Sequence, residues 1–120
     1  MATVLAYTSP ALEHLFPMVP LLLELRRRRH HVHVRTVAGQ LETLRELGLA
    51  ASAIDHRIGT IEHSDYRASN PAAGLKRTVK TFSERASLDG PDLAAEIDTI
   101  RPDLLIVDIN AWGALCVAEA

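Results

Sequence analysis

Strand-like and helix-like runs take turns along this sequence, and that alternation constrains the fold more than any other feature. Residues 3–8, 31–36, 49–54 and 104–107 are short runs that are apolar or strictly alternating. The first is continuous enough to be buried on both faces, and the last is the clearest strand in the chain. After the first run, Met18, Val19, Leu22 and Leu23 recur at helical spacing within a helix expected over 17–28. Pro17 and Pro20 fall in its opening turn, where a missing N–H costs least. Leu41, Leu44 and Leu47 mark an inward face of a second helix over 40–47, closed by Gly48. Residues 55–69 are polar and read as a long irregular loop carrying His56, Arg57, His63, Asp65 and Tyr66. Asn70-Pro71 is a cap-and-start signal for a helix to about Ser87, with Leu75, Val79, Phe82 and Ala86 on one face. Asp89-Gly90-Pro91 predicts a break and a fresh helix with Leu93, Ile97 and Ile100 inward, stopped by Pro102. A last helix begins near Ala111. Strands alternating with helices predict an α/β fold: a Rossmann-like open parallel sheet with helices on both faces and right-handed crossovers.

In a doubly wound sheet of order 3-2-1-4, strands one and four are neighbours and the direction of winding reverses between them. Ligands of such sheets bind at the carboxyl ends of those two strands. His14 lies in the loop after strand one, within Thr8-Ser9-Pro10-Ala11-Leu12-Glu13-His14-Leu15-Phe16-Pro17, and Asp108 ends strand four. The topology therefore predicts that the two meet. A neutral imidazole can take a proton from a hydroxyl near neutral pH, and an aspartate on the other ring nitrogen fixes the tautomer and stabilises the imidazolium that forms. Capping of the following helix is the competing role for Asp108.

Composition and spacing remove several function classes. The chain has 120 residues, enough for one domain or part of one, and a net charge of −2 that offers no basic field to nucleic acid. The run Arg26–Arg29 reads as a solvated helix end complementing the dipole, since no aromatic residue interleaves with it. His31 and His33 could reach one metal from a strand, but no third ligand is in view and the neighbouring cations oppose a metal. His30 reads as structural at the strand entry. The first loop has neither Gly-x-Gly-x-x-Gly nor a Walker pattern, so dinucleotide or triphosphate binding is not expected there. The single Cys116 builds no internal disulfide and fits a reducing, cytoplasmic setting, and no apolar run is long enough to span a bilayer.

The ordered set Glu13-His14-Leu15-Phe16-Pro17, a helix, Arg28-Arg29-His30-His31-Val32, and Arg101-Pro102-Asp103-Leu104-Leu105-Ile106-Val107-Asp108 through Trp112 to Glu119 resembles family 1 glycosyltransferases of the GT-B fold. The nearest likeness is to bacterial enzymes that decorate polyketide and other antibiotic aglycones. The family pattern is Gly-His-x-x-Pro, a helix, then Arg-Gly-His-x-Val, so Glu13 and Arg29 stand where the family has glycines. The first substitution predicts strain at the turn and a negative charge beside the histidine; the second falls at a helix C-cap. By this resemblance, residues 1–120 are a partial N-terminal acceptor-binding domain, an incomplete half of a GT-B fold without its C-terminal nucleotide-sugar domain. His14 would be the general base and Asp108 its partner. The deprotonated acceptor hydroxyl would attack the anomeric carbon of a nucleotide-activated sugar with inversion, with no cofactor and no metal. Phe16, Tyr66 and Trp112 are candidates for the acceptor pocket, with core packing as the competing role for Phe16 and Trp112. The implied partners are a small-molecule aglycone and a nucleotide sugar bound through a C-terminal domain or a partner chain. The edge of strand four is left open for self-association. A non-catalytic partner subunit of a split glycosyltransferase and an unrelated Rossmann-like binding module are the alternatives.

Overall fold

The computed structural model describes all 120 residues. Strand β1 (Thr3–Tyr7) is followed by a single helical turn α1 (Leu12–Leu15), a 3-10 turn at Phe16–Met18 and helix α2 (Val19–Arg27). Strand β2 (His31–Thr36), a 3-10 turn at Ala38–Gln40, helix α3 (Leu41–Glu46) and strand β3 (Ala50–Ala53) come next. Helix α4 (His56–Thr60) and a 3-10 turn at Asp65–Arg67 lead to helix α5 (Pro71–Ile100), strand β4 (Leu104–Val107) and helix α6 (Trp112–Glu119). The sheet is parallel throughout, in the order β3-β2-β1-β4. The expected α/β Rossmann-like architecture is thus present.

The pleat of β1 divides the core in two. Val4 and Ala6 point to one face, where they join Leu15, Leu22, Val32, Val34, Leu44 and Leu49 under α2 and α3. Leu5 and Tyr7 point to the other, where they join Ile54, Ile58, Leu93, Ala111 and Ala114 under α5 and α6. A strand with large buried side chains on both faces needs a sheet covered on both sides, as parallel sheets are. Strand β2 differs: Val32 and Val34 enter the first core, while His33 and Arg35 face α5. There Arg35 forks onto Asp92 at 3.0 and 2.7 Å and also meets Glu96. The Tyr7 hydroxyl donates to Asp92 at 2.8 Å, and His33 hydrogen-bonds Ser52 at 2.9 Å. Burial lowers the pKa of His33, so its imidazole favours the neutral form. The alternation of β2 separates an apolar layer from an ionic one; neither His33 nor Arg35 is directed to bulk solvent.

Four expectations need correction. The region 71–100 is one continuous helix of 30 residues with Pro91 inside it, not two helices separated at 89–91. Pro91 removes one helical hydrogen bond at a cost of about 3 kcal/mol, and the burial of Leu93 and Phe82 on either side of it opposes a break. The two other break signals serve the partner helix: Gly90 lies against Gly113, and the Asp89 carboxylate accepts from the Ala114 N–H at 2.8 Å. Second, residues 55–69 are not wholly irregular. Asp55 caps α4 by accepting from the Arg57 N–H, and Asp65–Arg67 forms a 3-10 turn. Third, Leu75 and Val79 are exposed on α5, and Leu47 is exposed beyond α3, whereas Phe82 and Leu44 are buried as expected. Fourth, Glu13 sits in the right-handed turn of α1 without positive φ, so it carries no backbone strain.

Arg29 does carry strain. Its φ is 69°, and its N–H reaches the Arg26 carbonyl at 2.9 Å while the His30 N–H reaches Leu25 at 3.1 Å. This is a Schellman closure of α2 with arginine at the left-handed position. Gly48 closes α3 in the same way, at φ 87°. Beyond that closure, the cation run is paired locally: Arg27 and Arg28 both hold Glu24, and the pairs are exposed.

Candidate functional site

Strands β1 and β4 pair from Val4–Leu104 to Tyr7–Val107, so their carboxyl ends open onto the same crevice. Beyond β1 the chain turns through Thr8 and Ser9 into α1; beyond β4 it turns through Asp108 into α6. His14 Nδ1 lies 2.7 Å from Asp108 Oδ1, with the ring about 30% exposed and the carboxylate about 1% exposed. The two residues expected to meet do so across 94 positions of sequence.

The carboxylate is held from several sides. Ser9 donates to Oδ2 from both its hydroxyl, at 2.6 Å, and its backbone N–H, at 3.0 Å. The Asn110 N–H donates to Oδ1 at 2.9 Å. Burial alone would raise the pKa of Asp108, but these donors and His14 outweigh burial and hold it below the ordinary carboxylate value. An ionised Asp108 accepts only, so the nitrogen facing it carries the proton: His14 is the Nδ1–H tautomer in its neutral form. Its Nε2 then presents a lone pair. The competing role for Asp108 is present in part, since it accepts from Asn110 in the turn before α6, but α6 has no side-chain cap at Ala111. Its N-terminal N–H groups are met instead by Asp89, reaching across from α5.

Beside the dyad lies a cleft of about 290 Å³ lined by Glu13, His14, Pro17, Met18, Val107, Asp108 and Ile109. Ile109 is 73% exposed at its rim. Phe16, Tyr66 and Trp112 are not among the lining residues. Phe16 is half-exposed in the turn between His14 and Pro17 rather than in the core. Tyr66 is exposed and hydrogen-bonds Glu62 at 3.2 Å, and Trp112 stands edge-on to Phe82 at 5.3 Å. Of the loop histidines, His56 is exposed beside Asp55, while His63 packs against Phe82 and hydrogen-bonds Thr78. Sequence reasoning missed Ser9 and Asn110. Both flank the expected pair in short polar turns directly after a strand, and Asp108-Ile109-Asn110 is a spacing at which an aspartate accepts from the backbone two residues on. No group of three or more histidine, cysteine or acidic side chains is arranged to hold a metal ion, and no helix is long and apolar enough to cross a membrane.

No protein-family model matches the chain. A search of curated proteins finds similarity to the L-demethylnoviosyl transferase of Streptomyces niveus, 31% identical over 107 residues. The match covers 88% of this chain but only 28% of that protein. Among solved structures, the glycosyltransferase SsfS6 of Streptomyces sp. SF2575 superposes with a TM-score of 0.77 at 17% identity, over 98% of this chain and 36% of its own. The spinosyn rhamnosyltransferase SpnG superposes with a TM-score of 0.71 at 24% identity, over 96% of this chain and 31% of its own. Both have also been solved with thymidine diphosphate. The resemblance to natural-product glycosyltransferases is borne out: the chain is similar over nearly all its length to about a third of such an enzyme, and shares that part's fold.

Proposed function

As a segment related to the natural-product glycosyltransferases, this chain is, we propose, the acceptor-binding portion of an inverting enzyme that moves a sugar onto a hydroxyl of a natural-product aglycone. The observation that carries the reading is the 2.7 Å contact of His14 Nδ1 with the buried Asp108, at the crevice between β1 and β4. His14 Nε2 takes the proton of the acceptor hydroxyl as the oxygen bonds to the anomeric carbon. The bond from that carbon to the nucleoside diphosphate breaks, and the diphosphate leaves with the electron pair. Attack from the face opposite the leaving group inverts the centre. Asp108, already ionised, stabilises the imidazolium that forms. The donor would be a thymidine-type nucleotide sugar, by analogy with the thymidine diphosphate held by SsfS6 and SpnG, and residues outside these 120 would bind it. The apolar wall of the cleft, Pro17, Met18, Val107 and Ile109, suits the flat carbon skeleton of an aglycone.

The test is transfer from a thymidine diphosphate sugar to an aglycone hydroxyl by the whole protein that carries this chain, with His14→Ala beside it. Loss of the base costs about 10² to 10⁴ in rate, with the circular dichroism of the fold unchanged. Undiminished turnover by His14→Ala removes the dyad from the mechanism.

A further inference from the structure

The Nε2 of His14, which has to receive the acceptor's proton, is not free. The Asn110 side-chain amide lies 3.2 Å from it. The proton on Nδ1 faces a carboxylate that can only accept, so Nε2 of the neutral ring can only accept in turn. The amide group facing it is therefore the N–H₂, donating. The same residue's backbone N–H donates to Asp108 Oδ1 at 2.9 Å. One residue thus touches both members of the dyad, holding the carboxylate through its backbone and capping the lone pair through its side chain.

We propose that Asn110 is a positioning residue whose amide stands in for the acceptor hydroxyl and is exchanged for it on binding. This rests on the transferase reading above. An acceptor O–H must donate to Nε2 from about 2.6–3.2 Å before its proton can move, and that position is the one the amide N–H now occupies. Exchanging one neutral donor for another keeps His14 in its Nδ1–H tautomer. It also selects for acceptors that arrive as donors: a hydroxyl can replace the amide, whereas an ether or ketone oxygen cannot.

Histidine-selective ¹⁵N NMR of the whole protein without substrates, with His14 assigned by substitution, reads the contact directly. In the parent, His14 Nε2 gives the resonance of an unprotonated nitrogen accepting a hydrogen bond, and Nδ1 that of a protonated one. In Asn110→Ala, which keeps the backbone N–H to Asp108, the Nε2 resonance moves downfield toward that of a free lone pair and Nδ1 stays. In Asn110→Asp, a carboxylate that can only accept replaces the donor, and the Nε2 resonance moves upfield, toward that of a protonated nitrogen. An Nε2 resonance that is the same in the parent and both variants overturns the proposal. In the transfer assay, Asn110→Ala lowers the acceptor KM about three- to tenfold, the worth of one neutral hydrogen bond no longer competing, with kcat changed less. An unmoved KM overturns the exchange. A parent that transfers no sugar sinks the transferase reading, and the spectrum still decides whether Asn110 holds the lone pair.

Discussion

Gly113→Ala is the sharpest test of how α5 and α6 are seated. A Cβ at position 113 would lie 2.5 Å from Asp89 Oδ1 and 2.9 Å from the Ala86 carbonyl carbon, and it would overlap the Ala86 carbonyl oxygen. Ordinary carbon contacts are about 3.5–4.0 Å, so the two helices would have to part by roughly 1 Å at their closest point. Neither contact is the end of a flexible chain: one is helix backbone and the other a buried carboxylate. Overpacking of this kind costs about 1–3 kcal/mol. Parting the helices also lengthens the Asp89–Ala114 bond of 2.8 Å, and leaving a buried carboxylate and helix-end N–H groups poorly paired costs about 1–3 kcal/mol more. The better helix propensity of alanine returns up to about 1 kcal/mol. The expected net loss is about 3 kcal/mol, or about 10 °C in melting temperature for a chain of this size. Chemical and thermal unfolding followed by circular dichroism would measure it, with Gly39→Ala as the control, because a Cβ there meets nothing within 4 Å. A Gly113→Ala variant within about 0.5 kcal/mol of the parent would refute the close seating of the two helices.

Two further substitutions have a definite sign. Arg29→Gly should stabilise the chain by about 0.5–1 kcal/mol, since the left-handed cost of an L-residue disappears and only part of it returns as glycine's entropy; equal or lower stability in urea would refute the strain at φ 69°. Burial, opposed by hydrogen bonds from α6, pushes the pKa of Asp89 up to about 6, so the folded state binds this proton more tightly than the unfolded one. The resulting stability is fully present below about pH 4, near the ordinary value of 3.8, and is lost as pH rises through about 6. The loss is on the order of 2–3 kcal/mol. Asp89→Asn should flatten that part of the stability–pH curve while keeping an oxygen for Ala114, and parallel curves for parent and variant would exclude Asp89 as its source.

The sheet order and the meeting of His14 with Asp108 were legible because they follow from topology: alternation dictates a parallel sheet, and the switch point dictates the crevice. The apolar face of β2 was legible for the same reason. Long-range pairing of its polar face was not, since nothing local says that Arg35 will find Asp92 and Glu96 on a helix some sixty positions away. The unbroken α5 was hidden for a more specific reason. Asp-Gly-Pro is a strong local stop signal, yet each member has a tertiary use in the folded chain or is tolerated there: a cap for another helix, a contact with Gly113, and a proline overridden by its neighbours. The surroundings of the aromatic candidates were not legible, because aromatic character in a sequence does not distinguish a pocket wall from a packed ring. Trp112 packs on Phe82, while the cleft is lined by Met18, Val107 and Ile109.

The same seam bears on the chemistry. Asp108 lies in a turn of a few residues between β4 and α6, so its position is determined by both neighbours. Its backbone N–H bonds the Tyr7 carbonyl at 2.9 Å, extending the β1–β4 pairing, and Ala111 N–H returns to the Asp108 carbonyl at 3.0 Å to begin α6. Helix α6 is in turn anchored to α5 by Asp89, and α5 to β1 and β2 by Asp92 and Glu96. A carboxylate on one side of α5's crossing with α6 thus helps set the aim of a carboxylate that touches His14. The hydrogen bonds from Ser9 are the counterweight, tying Asp108 to the β1 side of the crevice regardless of α6. Perturbing the seam should therefore cost stability first and dyad geometry second, and the two effects separate because Ser9 remains in place when α6 shifts.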